Sequence, residues 1–363
     1  MISKKIAGYV PWQLVSALDF GGWITKPSRY LLGLSKFRIT CLQVHITSNC
    51  NLNCSYCYAK NHKGKSLSDN TILSLIRQAK ENGVHEIQFV GGEPLLHPKL
   101  KDFVKLTASL GMNMRIYTNA TLLNGDWMNF FQRFRDKLVF AIKFDSKTGY
   151  KKQVGRDLFS RIVKALELCK SSNVPANTFI TVTRKNFDQV EGLINKSFEL
   201  KAPPIIERYL PTCSQELNKS LGVSASQWKH VLHLFNKYYK DNLAFYNVTS
   251  RMLNFYCSCY NSTLSIDTNG EALPCPYAPK DLTLGNVTKK QLSDLIYLYS
   301  QKVAEWNRLP EECNSCKSKS LCTGGCKTYA FLKNKRLDIR DGLCKENIPP
   351  TLTMCSFNNS LIK

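Results

Sequence analysis

The chain has 363 residues, 43% of them hydrophobic, and carries 50 Lys and Arg against 27 Asp and Glu for a formal charge of +23. That apolar content can fill a sizeable core, which excludes a disordered or collagen-like chain, and no apolar run approaches the roughly 18 to 20 residues of a membrane-spanning helix. The excess of positive charge favours an anionic partner, whether nucleic acid, acidic peptide, phosphorylated metabolite or lipid headgroup.

Residues 1–40 hold Lys4, Lys5, Lys26, Arg29, Lys36 and Arg38 against Asp19 alone. Leu14, Val15 and Leu18 share a helical face that ends at Gly21-Gly22, and Pro27 can open a second short helix. The segment is therefore basic and amphipathic, suited to packing on the barrel wall or to meeting a membrane surface or partner. Pro11, Gln13 and Asp19 interrupt the run that a secretion signal needs, so a cytoplasmic protein is expected.

Across residues 41–247, short β-branched runs alternate with helical patterns. Strands are expected at Leu42–Thr47, Glu86–Val90, Asn113–Asn119, Leu138–Asp145, Asn177–Thr183 and Ile205–Leu210. Helices are expected at Ser68–Asn82, Pro98–Leu110, Trp127–Phe134, Leu158–Lys170 and Phe187–Leu200, with Asn82-Gly83 and Leu110-Gly111 as stops. Such alternation gives parallel strands with right-handed crossovers. Six units are too few for a closed eight-stranded barrel, so the expected fold is α/β, a partial (β/α)6 TIM-like barrel with its functional residues at the carboxyl ends of the strands. Cys50 follows the first strand, Gly91-Gly92-Glu93-Pro94 the second, Thr118-Asn119 end the third and Asp145-Ser146 the fourth: all lie on one rim. A helix at Ser226–Tyr239, with Trp228, Val231, Leu232 and Phe235 on one face, would close the barrel. Across residues 248–363 the texture changes to short segments and cysteines, with Asn269-Gly270 as a hairpin signal. This second domain is expected to be held by metal rather than by a hydrophobic core.

The 15 cysteines are clustered. Cys50, Cys54 and Cys57 form one knot, and eight more lie between Cys257 and Cys344. Cysteines two to four residues apart chelate one centre more readily than they pair, and a chain of this length needs no disulfide framework. Three thiolates bind three irons of a four-iron cluster and leave the fourth without a protein ligand, the open position at which a substrate or cofactor binds. A structural zinc completed by His45 or His62 is the competing reading. Cys41, Cys169, Cys213 and Cys355 fit neither group and read as ordinary thiols.

The loop Cys50-x3-Cys54-x2-Cys57, with Tyr56 before its third cysteine, and the element Gly91-Gly92-Glu93-Pro94 at the next strand end resemble the radical S-adenosylmethionine (radical SAM) superfamily from about Leu42 to Leu210. The resemblance implies a [4Fe-4S] cluster whose unique iron chelates the amino and carboxylate groups of SAM. The two glycines would let backbone approach the ligand, and Glu93 would offer an acceptor for the ammonium group. Thr118 and Asn119 resemble the polar strand end that approaches the cofactor. Lys143-Phe144-Asp145-Ser146 stands where relatives often have serine, a large apolar residue, aspartate and glycine, so Lys143 either neutralises the SAM carboxylate or points into the core, and Arg156 could do the same task.

Downstream, Cys259-x10-Gly270-x4-Cys275 and Cys313-x2-Cys316-x5-Cys322-x3-Cys326, followed by Cys344, resemble the SPASM domain, which typically holds two auxiliary [4Fe-4S] clusters. By that analogy Cys257, Cys259, Cys275 and Cys326 serve the first and Cys313, Cys316, Cys322 and Cys344 the second. Cys257 is tighter to Cys259 than is usual; if only one of the two binds, that cluster has an open iron. Two zinc ions with four thiolates each are the alternative. With three clusters the protein would still carry about +18.

The resemblance implies reductive cleavage of SAM to methionine and a 5′-deoxyadenosyl radical, which takes hydrogen from an unactivated carbon. A flavodoxin- or ferredoxin-type donor would supply the electron. Relatives with this domain commonly modify peptides or proteins by crosslinking, oxidation or epimerisation, and an acidic leader would suit the basic surface. About 40 residues before the barrel are too few for a winged-helix leader-binding domain, so a small metabolite such as a sugar, nucleoside or antibiotic precursor is the second reading. In sulfatase-maturating relatives an aspartate acting as base directly follows the cysteine corresponding to Cys275; here Pro276 and Tyr277 follow, which sets this chain apart. Glu207, Arg208 and Tyr209 are the polar candidates on the substrate side. A zinc-binding nucleic-acid module would explain charge and paired cysteines, but not the Gly91–Pro94 element or the six strand-helix units.

Overall fold

The computed structural model describes residues 39–54, 56–59, 66–147, 158–212, 220–242, 259–316 and 324–344. The basic segment 1–38 and His62, Arg156, Cys213, Cys257, Cys322 and Cys355 lie outside them.

Six strands run parallel, in chain order across the sheet: β1 (Cys41–Thr47), β2 (Glu86–Gly91), β3 (Asn113–Thr118), β4 (Leu138–Lys143), β5 (Ala176–Val182) and β6 (Pro204–Arg208). Every residue of β1 is buried, as expected of a parallel strand covered on both faces. The crossovers are α1 (Asp69–Glu81), α2 (Leu100–Ser109), α3 (Gly125–Phe131), α4 (Phe159–Ser171) and α5 (Val190–Glu199). In α1, Ile72, Leu75, Ile76 and Ala79 form the buried stripe, and the Ser68 side chain caps the helix by accepting from the Thr71 N–H at 3.1 Å. The helix expected to begin at Trp127 begins at Gly125, because the Asn124 side chain caps it by accepting from the Trp127 N–H at 3.0 Å.

The carboxyl-terminal part departs from expectation. β7 (Thr263–Ile266) adds to the free edge of β1 in parallel, pairing Cys41 with Thr263 through Val44 with Ile266, and β8 (Ala272–Leu273) returns antiparallel. The hairpin signalled by Asn269-Gly270 is this β7–β8 turn; Asp267 Oδ1 accepts from the N–H groups of Asn269 and Glu271 at 2.8 Å each, and Gly270 takes φ +85°. Among the described residues the sheet therefore has eight strands, ordered β6-β5-β4-β3-β2-β1-β7-β8. The segment expected to lack a hydrophobic core shares one: Leu264, Ile266, Leu295, Tyr299 and Trp306 belong to the same buried cluster as Leu42, Val44 and Ile46. The cause is edge pairing, which carries α7 (Leu292–Trp306) onto α1, where the Leu292 N–H donates to Gln78 Oε1 at 2.8 Å.

Helix α6 (Ala225–Asn242) buries Trp228, Val231, Leu232 and Phe235 as expected, but it packs on α5 and extends the outer layer. The sheet stays open between β6 and β8. Among the described residues no helix is long and apolar enough to cross a membrane.

Candidate functional site

β1 ends at Thr47 and runs into the three-cysteine loop, against which the end of β2 closes. The Gly92 N–H donates to Thr47 O at 2.7 Å, and the Glu93 N–H to Asn49 O at 2.7 Å. A Cβ on Gly91 would meet Thr47 O at 2.1 Å and one on Gly92 would meet Asn49 O at 2.2 Å. The glycines, expected to admit a ligand, thus first let strand end and loop pack backbone to backbone, although both also line the cavity.

Glu93, expected to face the ligand's ammonium group, packs inward between the ends of β2 and β3. It is fully buried and absent from the cavity wall. Its Oε1 accepts from the Thr118 hydroxyl at 2.7 Å and the Leu95 N–H at 3.0 Å, while Oε2 accepts from the Asn119 N–H at 2.7 Å. The carboxylate staples the end of β2 to the end of β3 rather than facing an ammonium group, and Pro94 opens the buried turn beside it. Burial pushes its pKa up to about 7, against the pull of those three donors. Thr118 and Asn119 do line the cavity, and Asn119 Nδ2 points toward Cys50 Sγ at 3.9 Å.

Lys143 is among the residues that line the cavity. Its ammonium pairs with Asp145 Oδ2 and contacts the Tyr56 phenol, which itself donates to Asp145. Asp145 was expected near the cofactor; it is buried behind the wall, where Oδ1 also accepts from the Thr181 N–H at 2.7 Å. It therefore ties the cysteine loop through Tyr56 to β4 and β5.

Cys50, Cys54 and Cys57 line one side of this cavity, and Cys259, Cys275 and Cys326 line it from the carboxyl-terminal part. Cys50 Sγ accepts from the Leu52 N–H at 3.4 Å, and Cys326 Sγ from the Tyr329 N–H at 3.4 Å at the start of α8 (Lys327–Asn334). Amide N–H groups aimed at sulfur suit thiolates that carry a metal cluster. Among the described residues no three His, Cys, Asp or Glu converge as a single ion requires. Three thiolates on one short loop, with further cysteines facing them across the cavity, are a donor set that fits iron–sulfur clusters.

Residues 44–196 match the family model described as "Radical SAM superfamily", and residues 257–318 match "Iron-sulfur cluster-binding domain", the SPASM family. The chain is a radical SAM enzyme with a SPASM domain. A cysteine-type anaerobic sulfatase-maturating enzyme of Clostridium perfringens is 27% identical over 77% of this chain and 86% of its own length. A PqqA peptide cyclase of Gluconobacter oxydans is 24% identical over 84% of this chain and 89% of its own. In fold, this radical SAM enzyme is similar to Streptococcus suis SuiB bound to S-adenosylmethionine, with TM-score 0.68 at 18% identity over 88% of this chain and 80% of that one. It is also similar to anSMEcpe with bound AdoMet and Cp18Cys peptide, with TM-score 0.69 at 20% identity over 84% and 92%. Its cofactors are a SAM-binding [4Fe-4S] cluster, auxiliary iron–sulfur clusters and SAM.

In the radical SAM enzyme's cavity, Tyr58 has no role legible from sequence, and Tyr277 is marked there only as following Cys275 and Pro276. The Tyr277 phenol donates to Glu207 Oε1 at 2.6 Å and packs edge-on against Tyr58, ring centroids 4.7 Å apart. Desolvation lifts both phenols well above the ordinary tyrosine range, with Cys57 adding to the effect at Tyr58 and Glu207 at Tyr277. Both phenols therefore stay protonated. Arg208, expected on the substrate side, lines the cavity and is also engaged by Asp341: Nη1 donates to Oδ1 at 3.0 Å and Nη2 contacts Oδ2. Nothing local marks Tyr58 or Asp341, whose partners lie far along the chain.

Proposed function

We propose that this radical SAM enzyme oxidises or crosslinks a peptide or protein. The observation that carries the reading is the shared cavity, into which the Cys50–Cys57 loop and Cys259, Cys275 and Cys326 open together. In this reading Cys50, Cys54 and Cys57 hold the SAM-binding cluster. Cys257, Cys259, Cys275 and Cys326 hold one auxiliary cluster, and Cys313, Cys316, Cys322 and Cys344 the other. The barrel spans residues 41–247 and the auxiliary-cluster domain residues 248–363. Bound SAM, once reduced by one electron, supplies a carbon radical able to take hydrogen from an unactivated carbon.

The chain's own residues position that chemistry. Gly91, Gly92, Thr118 and Asn119 form the wall nearest the first cysteine loop, and Lys143, whose ammonium pairs with Asp145, is the cation that would meet the SAM carboxylate. Tyr58, Tyr277, Tyr209 and Trp228 give the cavity an aromatic lining. Glu207, held by the Tyr277 phenol, is the carboxylate on that side and accepts a substrate proton. It serves where sulfatase-maturating relatives have an aspartate after the cysteine matching Cys275.

The peptide reading is supported by relatives named for peptide or protein maturation and by SuiB bound to precursor peptide SuiA, similar in fold with TM-score 0.66. The charge of +23 favours an acidic leader sequence. A flavodoxin- or ferredoxin-type protein in the cytoplasm delivers the electron.

Anaerobic reconstitution with iron and sulfide tests the assignment. The expected result is a brown protein that forms 5′-deoxyadenosine from SAM and dithionite, while a Cys50, Cys54 and Cys57 triple-alanine variant forms none. A variant that cleaves SAM at the parental rate refutes it. Mass loss in an acidic precursor peptide, against none in sugars or nucleosides, separates the two substrate classes.

A further inference from the structure

The last barrel strand and the carboxyl-terminal cysteine segment meet at one buried ion pair. Arg208 closes β6, and its side chain is 5% exposed; the Asp341 side chain is fully buried 133 residues later. Burial alone would lower the guanidinium's pKa, but Asp341 and the Cys326 sulfur outweigh it and hold the charge firmly. The Tyr329 ring lies against the same guanidinium, 4.5 Å away.

Asp341 uses both ends of its carboxylate twice. Oδ2 accepts from the Cys326 N–H at 2.9 Å, and Oδ1 from the Leu343 N–H at 3.0 Å. Its backbone carbonyl accepts from the Cys344 N–H at 2.8 Å, and its own N–H donates to Gly324 O at 2.9 Å. One residue thus fixes the peptide groups of two cysteines that the proposed function assigns to different clusters. The Cys326 sulfur in turn accepts from the N–H of Tyr329, whose ring lies against the Arg208 guanidinium.

A buried ion pair adds little net stability, because desolvating both charges offsets their attraction. Its consequence here is geometric and electrostatic. A buried cation near a ligating sulfur and an amide donor on it favour the reduced, more negative cluster and so raise its potential; a buried carboxylate one peptide away opposes them.

We propose that Arg208 and Asp341 are positioning residues that fix Cys326 against the barrel and set the reduction potential of the iron–sulfur centre it ligates. This rests on the reading of Cys326 as a cluster ligand. Removing either charge moves that potential, in opposite directions.

The test uses the full chain, reconstituted anaerobically, in redox titrations followed by electron paramagnetic resonance, with iron per chain measured alongside. Arg208→Gln removes the buried positive charge and leaves Asp341 uncompensated, so one auxiliary signal shifts to lower potential. Asp341→Asn frees the guanidinium's charge, so the same signal shifts upward. Parental potentials in both variants, or shifts of the same sign, overturn the proposal. Should Arg208→Gln not fold, the upward shift in Asp341→Asn decides alone. Cys326→Ala keeps the tests separate: if it retains every auxiliary signal of the parent, the ligand assignment fails, whereas its loss of one signal beside unmoved potentials in the other variants condemns only the positioning role.

Discussion

The Tyr277 hydroxyl donates to Glu207 Oε1 at 2.6 Å, joining the residue two places after Cys275 to the end of β6. The Thr181 hydroxyl approaches the same oxygen at 3.4 Å. A phenol kept neutral by desolvation is a fixed donor, so it orients the carboxylate toward the cavity and stabilises its charge.

If Glu207 accepts the substrate proton, Glu207→Gln lowers product formation by about 100-fold, the scale of one acid–base group. Tyr277→Phe, which removes only the orienting donor, lowers it by about tenfold. Both should still release 5′-deoxyadenosine, so the ratio of SAM cleaved to product formed, read by chromatography, rises.

Lys143 is the cation on the wall beside the first cysteine loop. Lys143→Met is expected to weaken SAM binding about tenfold, the worth of one charge-assisted hydrogen bond, with iron content unchanged. Asp145→Asn should behave differently, releasing the Tyr56 phenol and lowering iron retained by the loop. Equilibrium dialysis and iron assays distinguish the two.

Gly92→Ala forces a Cβ to within 2.2 Å of Asn49 O, a backbone atom that cannot swing aside. A loss of about 2 kcal/mol or more is expected, together with poor cluster incorporation. Gly192→Ala is the control: it lies in α5 with nothing within 4 Å, and should gain about 0.5 to 1 kcal/mol from helix propensity. Urea denaturation measures both.

Glu93 titrates near 7 in the folded chain, against about 4.5 for an ordinary carboxyl. The folded state therefore binds this proton more tightly than the unfolded one, so its contribution is present below pH 4.5 and is lost as pH rises toward 7. For a shift of this size the loss is about 3 kcal/mol. Comparing urea midpoints at pH 5 and pH 7 in cluster-free protein should reveal this slope, and Glu93→Gln should flatten it.

The six-strand alternation, the rim of motifs and the cysteine groups were legible because they are local: a period of two or 3.6, a capping residue, or a short spacing suffices to write them. Even the β7–β8 hairpin announced itself through Asn269-Gly270. What the sequence could not convey was where separated pieces meet. Parallel addition of β7 to β1 is edge chemistry, in which unpaired N–H and C=O groups accept any strand that arrives in register, and so residues read as a coreless domain became part of one core. The same holds for charge. Glu93 and Asp145 each had the right type for a ligand contact, yet burial beside particular donors decided that they staple strand ends, while Arg208 lines the cavity and also holds Asp341. Residue type fixes which hydrogen bonds a side chain can make; only the tertiary arrangement determines which partner excludes water and claims it.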